Sequence, residues 1–481
     1  MPSIWTETVE IESRPPLQQS LQTSVAVIGA GMAGLLTAYL LKMRDVDCVV
    51  LEADAIGSGQ TKGTTAKITS QHGKIYGELI EQFGVEKAKQ YAAANQHAVE
   101  QYRELICSRG IDCDFEETKA YLYGFGSEDG LEKEALNAAA LGLPASYLPR
   151  SILPFATTGA VCFAQQAQFH PLKFLKHISR ELTIYEHTPV TKVEGHFVTA
   201  GGYRVTADKI IFAAHFPFVN VPGFYFARMY QSRAYSIALE NASLPDGMFI
   251  GCGEESLSLR KYHNLIILCD SDHRTGENRI GGRYEHLRKM AGMYFPENRE
   301  TAHWSAQDCM TPDKVPYIGQ YAVGTPDWYV ATGFNKWGMS SSMAAAQILA
   351  DAVTGGRHPN AEIFDPQRFN TSTAGELLKN GGKAVEGLSR RILTLPKTTL
   401  EELPMGHGGI VEHEGEKIGV YKDASGNVYT VNPRCPHMGC QLEWNPDEKS
   451  WDCPCHGSRF DYRGHLLDNP AQENLPYEQQ I

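Results

Sequence analysis

Ser24-Val25-Ala26-Val27-Ile28-Gly29-Ala30-Gly31-Met32-Ala33-Gly34 joins an apolar run to a G-x-G-x-x-G turn. Residues 35–43 have helical composition, and Cys48-Val49-Val50-Leu51 is a second apolar run ending at Glu52. The order is strand, glycine turn, helix, strand, acid. The glycines let the backbone approach a pyrophosphate at a helix N-terminus, and Glu52, 18 positions past Gly34, can accept from ribose hydroxyls. A lone glycine motif says little, but strands on both sides and an acid at this spacing predict a dinucleotide-binding α/β domain. The motif does not choose between NAD and FAD.

The stretch that follows bears on that choice. Gly57-Ser58-Gly59-Gln60-Thr61-Lys62-Gly63-Thr64-Thr65-Ala66-Lys67 is rich in glycine, hydroxyls and lysine, and such a loop can meet a cofactor through N–H groups and hydroxyls. An NAD domain would usually proceed to another βαβ unit. Apolar positions at helical spacing from about 77 to 108 predict helices instead. His170, in Phe169-His170-Pro171-Leu172, opens a further helix and reads as a capping or packing residue. Runs such as Tyr235-Ser236-Ile237-Ala238-Leu239 and Leu265-Ile266-Ile267-Leu268 predict an antiparallel sheet within 228–283. A strand over Trp328–Thr332 then reaches Gly333 and a small-residue helix, so N–H groups at Trp337, Gly338 and Met339 can meet negative charge.

Over residues 22–365 the chain resembles the FAD-dependent D-amino-acid oxidase, glycine oxidase and sarcosine oxidase family, most specifically at 24–67 and 304–345. The resemblance implies an FAD-binding α/β domain with an antiparallel-sheet substrate domain. It implies cofactor contacts at Gly29, Gly31, Met32, Ala33, Gly34, Glu52, Ala53, Gly59, Thr61, Thr64, Thr65, Ala66, Val190, Gly333, Trp337, Gly338 and Met339. It places FAD-binding segments at about 24–75, 155–220 and 304–355, with substrate-domain segments between them. It also implies oxidation of a carbon–nitrogen bond.

A second constellation lies near the other end: Cys435-Pro436-His437-Met438-Gly439-Cys440 and Cys453-Pro454-Cys455-His456-Gly457-Ser458. C-x-H…C-x-x-H offers two thiolates and two imidazoles, which suit zinc or a [2Fe–2S] centre with two histidines on one iron. The pattern closely resembles the Rieske proteins of respiratory and photosynthetic chains. That resemblance implies a small all-β domain in which Cys435 and Cys453 hold one iron, His437 and His456 the other, and Cys440 and Cys455 form a disulfide. Two departures stand out. Phe460 occupies the position of a tyrosine that donates to a cluster thiolate in high-potential members. The segment covering the cluster is replaced by Asp468-Asn469-Pro470-Ala471. Hydrogen bonds to sulfur raise the potential, so a value below the respiratory examples is expected, with Ser458 retained as a donor.

The domain reading is an N-terminal extension over 1–23, an oxidoreductase region over 24–365, a helical connector over 366–395 and a Rieske domain over 396–481. At 481 residues the chain is too long for one small core. A net charge of −12 removes any general electrostatic reason to bind nucleic acid. The seven cysteines outside the cluster loops have no motif spacing and read as free thiols. The absence of a signal-like start or of about 18 consecutive apolar residues leads to a cytoplasmic expectation without a membrane span.

A flavin and a one-electron centre on one chain imply two-to-one-electron traffic. The expectation is a C–N oxidase or dehydrogenase of an amine or amino acid, passing electrons from flavin to cluster and then to an acceptor protein or oxygen. The alternative is a flavin/iron–sulfur electron-transfer protein serving a partner enzyme without its own amine substrate. Arg233, Tyr235, Arg274 and Arg283 are candidates for a carboxylate clamp. His273 and Lys336 are candidates to polarise substrate or activate oxygen. Cys309 lies near the region of a flavin tether in some sarcosine oxidases, but its offset from Thr311-Pro312-Asp313 does not match, and no tether is expected.

Overall fold

The computed structural model describes residues 2–125, 130–253, 257–368, 375 and 399–476. Beyond residue 368 the expected helical connector therefore lies, apart from residue 375, outside the described residues. Leu21–Ile28 forms the middle of a parallel array: Tyr203–Phe212 on one side, Cys48–Leu51 on the other, then Thr183–Tyr185, with Trp328–Thr332 beyond Tyr203–Phe212. Tyr317–Gln320 adds an antiparallel edge. Val25, Ala26, Val27 and Ile28 are all buried, as a strand covered on both faces requires. Helices Met32–Lys42 and Gly338–Val353 pack against each other over this sheet, both built mainly of small or apolar residues.

The second sheet runs Arg299–Met310, Tyr230–Glu240, Leu265–Arg274, Ser258–Tyr262, Met248–Cys252, Glu116–Gly124, Gly159–Gln168 and Lys67–Ile68, with Ala145–Leu148 as a branch. Only the Met248–Cys252 and Glu116–Gly124 pair is parallel. The helices expected near 77–108 form one element, Tyr76–Arg109, broken at Gly84, whose φ of 78° no helix accommodates. His170 caps the helix Pro171–Ile178, its Nδ1 accepting from the Lys173 N–H at 3.2 Å.

The N-terminal segment is part of the body. Trp5 is fully buried and donates to the Thr64 carbonyl at 2.7 Å, while Ser13 and the Arg14 N–H bind the Glu186 carboxylate. From residue 399 on, two small antiparallel sheets form, Gly408–His413/Glu416–Lys422/Val428–Val431 and Glu443–Asn445/Ser450–Asp452/Arg459–Asp461/Leu466–Asp468. The turn at Ser425-Gly426-Asn427 joins two of these strands as its composition predicts. No described helix is long and apolar enough to cross a membrane.

Candidate functional site

A cavity of about 1390 Å³ runs between the parallel sheet and the antiparallel sheet. That exceeds the usual 300–1,000 Å³ of a single-ligand pocket and suits a dinucleotide with a small substrate beside it. At one end the chain turns at Gly29 (φ 108°) into the helix starting at Met32, whose N–H donates to Thr61 Oγ1 at 3.1 Å. Gly34 faces away from the cavity. A Cβ there would sit 1.9 Å from the Gly29 carbonyl oxygen, so its role is to let the helix lie on the strand. The Glu52 carboxylate accepts from the Ala30 N–H at 2.6 Å and the Asp54 N–H at 3.0 Å. Burial raises its pKa, and these N–H groups oppose the rise.

The cavity gathers most of the sequence-derived cofactor set: Gly29, Gly31, Met32, Ala33, Glu52, Ala53, Gly59, Thr61, Thr64, Thr65, Val190, Gly333, Trp337, Gly338 and Met339 all line it. Ala66 does not. Its backbone is left-handed at 56° and its carbonyl accepts from Arg260 at 2.7 Å. Trp337 caps the helix Gly338–Val353, its indole stacked on His72 at 4.7 Å. The glycine turn, the acid and two helix N-termini converge on one long cavity, and these residues fit FAD.

The two catalytic candidates part company. Lys336 lines the cavity, paired with the Asp272 carboxylate. His273 does not. Asp270 and Asp272 face the cavity on the strand Leu265–Arg274, and strand alternation turns His273 the other way. There its Nε2 meets the Tyr235 hydroxyl at 3.0 Å and its Nδ1 the Arg274 carbonyl at 2.7 Å. Sequence reasoning missed Lys67, Asp308 and His215, which line the cavity. Burial pushes the Asp308 carboxyl up to about 7, opposed by Arg233, and pulls His215 down to about 4.

The cluster loops form a compact centre. Cys435 and Cys453 are buried, Cys440 and Cys455 are bridged by a disulfide, and the His437 and His456 rings lie 5.0 Å apart. Nδ1 of both histidines is buried without a hydrogen-bond partner among the described residues. A hydrogen bond from Cys453, the N–H groups of His437 and Met438 and the Ser458 hydroxyl hold the Cys435 thiol below its ordinary pKa. Two buried thiols and two imidazole nitrogens without partners among the described residues are the donor set that a [2Fe–2S] cluster with mixed ligands asks of a protein. Phe460 is fully buried and supplies no donor.

This centre sits directly on the cavity wall. Gln231 Nε2 donates to the His456 carbonyl at 2.7 Å, and Gln307 Nε2 to the Gly457 carbonyl at 2.8 Å. A Cβ at Gly457 (φ 81°) would lie 2.6 Å from Gln231 Cβ, so only glycine permits this approach. Gln307 precedes Asp308, which lines the cavity. Leu466, Leu467, Asp468, Asn469, Ala471 and Gln472 from the C-terminal domain also line it. Asn469 donates to the Ala214 and Phe216 carbonyls at 2.7 and 2.8 Å, and Gln472 to that of Val190 at 3.0 Å.

Around this contact lies a buried ion network. Arg233 meets Glu448, with Nη2 to Oε1 at 2.5 Å, and Asp468 at 3.7 Å. Arg459 meets Glu448, Asp452 and Asp468 at 3.1, 3.0 and 2.8 Å. Arg274 donates to the Pro454 and Cys455 carbonyls at 3.2 and 3.3 Å. Three of the four expected clamp residues, Arg233, Arg274 and, through Asn445, Tyr235, therefore contact the C-terminal domain with their side chains.

The fold and both centres define a flavoprotein fused to an iron–sulfur module. Residues 24–352 match the FAD dependent oxidoreductase family, and residues 396–478 match the Rieske [2Fe-2S] domain family. The chain belongs to the FAD dependent oxidoreductase family and carries a C-terminal Rieske domain; it binds FAD and a [2Fe–2S] cluster. It is 34% identical to the Rieske 2Fe-2S iron-sulfur protein YhfW of Bacillus subtilis, over 98% of this chain and 96% of that protein. Among solved structures, glycine oxidase from Geobacillus kaustophilus matches with a TM-score of 0.61 at 19% identity, covering 72% of this chain and 99% of that one. L-proline dehydrogenase from P. horikoshii matches at 0.62 and 16%, covering 74% and 98%. L-amino acid deaminase from Proteus vulgaris matches at 0.60 and 14%, covering 75% and 100%. These likenesses establish the fold of the flavoprotein portion.

Proposed function

We propose that the chain oxidises a carbon–nitrogen bond of an amine or amino acid and passes the electrons through its Rieske cluster to an external acceptor protein or oxygen. When bound, FAD supplies two-electron acceptance and single-electron release, and the cluster carries one electron at a time. The observation that carries the reading is the contact of Gln231 and Gln307 with the cluster loop. Both glutamines lie in strands that wall the flavin cavity, and both bind the backbone at His456 and Gly457. The names of the structural neighbours, an oxidase, a dehydrogenase and a deaminase acting on glycine, proline and L-amino acids, support the substrate class.

In this reading the residues at Gly29–Ala33, Glu52 and Thr61–Thr65 hold the dinucleotide, and Trp337–Met339 meet the flavin's polar edge. Leu466–Asn469, Ala471 and Gln472 form the cavity wall on the cluster side. Cys435, His437, Cys453 and His456 hold the irons. Cys48, Cys107, Cys113, Cys162, Cys269 and Cys309 carry free thiols, as a reducing compartment leaves them, which supports a cytoplasmic location.

The test is anaerobic addition of amines and amino acids to the holoprotein, following flavin absorbance and the reduced cluster's EPR signal together. A substrate should bleach the flavin and raise the cluster signal. Bleaching by a reduced partner protein alone, with no amine effective, would replace this reading with an electron-transfer role. Bleaching without the cluster signal would remove the internal path.

A further inference from the structure

The last strand of the Rieske domain, Leu466–Asp468, and the four residues after it run along the cavity, and every residue from 466 to 472 except Pro470 lines it. Three side-chain anchors hold this stretch to the flavoprotein. Gln60 Nε2 donates to Asp468 Oδ1 at 2.6 Å, Asn469 Nδ2 to the Ala214 and Phe216 carbonyls at 2.7 and 2.8 Å, and Gln472 Nε2 to the Val190 carbonyl at 3.0 Å. Gln60, Ala214 and Val190 line the cavity themselves.

Each anchor falls on an element that holds the dinucleotide. Gln60 precedes Thr61, whose Oγ1 accepts from the Met32 N–H at the helix start. Ala214 abuts the glycine turn, since a Cβ at Gly29 would lie 3.2 Å from Ala214 Cα. Val190 follows Thr188, whose N–H donates to the carbonyl of Glu52, the acid placed for the ribose, at 2.8 Å. The stretch therefore passes from the loop beside the helix N-terminus, over the glycine turn, to the strand beside that acid.

The stretch is equally fixed to its own domain. Pro470 and Ala471 are buried, and the Ala471 N–H donates to Ser458 Oγ at 2.9 Å. Asp468 pairs with Arg459 at 2.8 Å, which neutralises the carboxylate it would bring toward a diphosphate. Leu467 lines the cavity and is 51% exposed, so it has apolar surface left to bury against a ligand.

We infer that residues 466–472 of the Rieske domain are part of the FAD site, a wall along its adenosine diphosphate half, and that docking of this domain and retention of FAD stabilise each other. A ligand that touches both bodies binds the docked form better and favours docking by the same factor. The inference rests on bound FAD alone and does not depend on the C–N reaction. On the proposed electron path, the module that receives the electrons also retains their donor.

The test uses the full chain with its cluster loaded and its flavin removed, titrated by equilibrium dialysis with FAD, ADP and riboflavin. Leu467→Asp should weaken FAD and ADP by about 10-fold or more, the loss of apolar burial against the ligand, and riboflavin by less than about 2-fold. Gln472→Ala should weaken FAD by about 3- to 10-fold, the loss of one anchoring hydrogen bond. Glu448→Ala loosens the docked domain. In such protein, shown by scattering to be undocked, Leu467→Asp should change FAD affinity by less than about 2-fold, because the wall has already left.

The inference is overturned if FAD and ADP bind Leu467→Asp as tightly as the wild type, if riboflavin loses affinity and ADP does not, or if Leu467→Asp keeps its full effect in the undocked protein. The reduced cluster's EPR signal reports whether each variant keeps the Rieske fold. Should Leu467→Asp lose that signal, Gln472→Ala decides: unchanged FAD affinity overturns the assignment.

Discussion

Replacing Glu448 by alanine should undock the Rieske domain from the flavoprotein. Glu448 sits between two guanidiniums, and the side chains of Arg233 and Glu448 are 5% and 9% exposed. Without Glu448, Arg459 keeps Asp452 and Asp468, and Arg233 keeps Asp468 at 3.7 Å, Gln307 at 3.5 Å and the Ser305 hydroxyl, none of them a close carboxylate. Ser305, which also donates to Glu448, loses that acceptor. Breaking a buried pair by removing one partner costs about 3–5 kcal/mol, because the survivor is stranded without water. At about 1.4 kcal/mol per decade, the docking equilibrium shifts by roughly two to nearly four orders of magnitude. Small-angle scattering of the holoprotein would read this as a larger radius of gyration. Rapid anaerobic mixing with substrate would read it as unchanged flavin bleaching but delayed cluster reduction. The paired substitution Arg233→Met with Glu448→Leu removes both charges and should restore much of the docking, since an apolar pair of similar volume replaces a buried ion pair at little cost. A Glu448→Ala protein as compact as the wild type, with equal cluster reduction, would refute the clamp.

The same network sets an acid limit. Burial alone would raise the Glu448 carboxyl, but Arg233 and Arg459 hold it well below the ordinary range, and Arg459 and Arg233 do the same for Asp468. Folded pKa values lie below the unfolded ones, about 4, so this stabilisation is complete above that pH and is lost as pH falls through the folded values. Scattering should therefore show constant docking from pH 8 to 5 and opening only below about 4, with Glu448→Gln removing that carboxyl's share of the acid dependence. Ser458→Ala removes a hydroxyl that bonds Cys435 and accepts from the Ala471 N–H at 2.9 Å. An EPR-monitored redox titration should find the cluster potential lowered by about 40 mV, one hydrogen bond of about 1 kcal/mol in a one-electron couple. Gly34→Ala puts a Cβ 1.9 Å from the Gly29 carbonyl oxygen, so the helix must lift from its strand and the purified protein should lack flavin absorbance.

What was legible in the chain was local. The proposed cluster ligands sit in two loops of a few residues each, where spacing along the chain already sets them close together. Likewise Gly29, Gly31 and Glu52 are placed by one strand–helix–strand unit. What was not legible depends on partners distant in sequence. Arg233 looked like a substrate clamp because nothing nearby announces Glu448, 215 positions away. His273 was misplaced relative to the cavity by a single step of strand alternation, which turns on register rather than composition. Lys67 looked like one more polar residue of a loop. Its burial, with no carboxylate paired to it among the described residues, is a tertiary fact. The polar N-terminus, too, gains its role only from Thr64 and Glu186, which Trp5, Ser13 and Arg14 bind.

On the proposed electron path, the docked arrangement also constrains how electrons leave. His437 Nε2 meets Asn220 Oδ1 at 2.9 Å, and the His456 ring stands edge-on to Phe226 at 5.7 Å. The imidazole side of the cluster site is therefore covered by the flavoprotein itself. The external acceptor of the proposed path would have to approach another side of the centre, or the interface would have to open. Glu448→Ala separates these cases. If the acceptor needs the imidazole side, the variant with its cluster chemically pre-reduced should pass electrons to a small oxidised protein faster than the wild type, although it fills from the flavin more slowly. If the exit lies elsewhere, pre-reduced variant and wild type should discharge at the same rate. Opposite effects on filling and discharge would mean that the clamp trades one transfer against the other, which a fixed relay with separate entry and exit cannot produce.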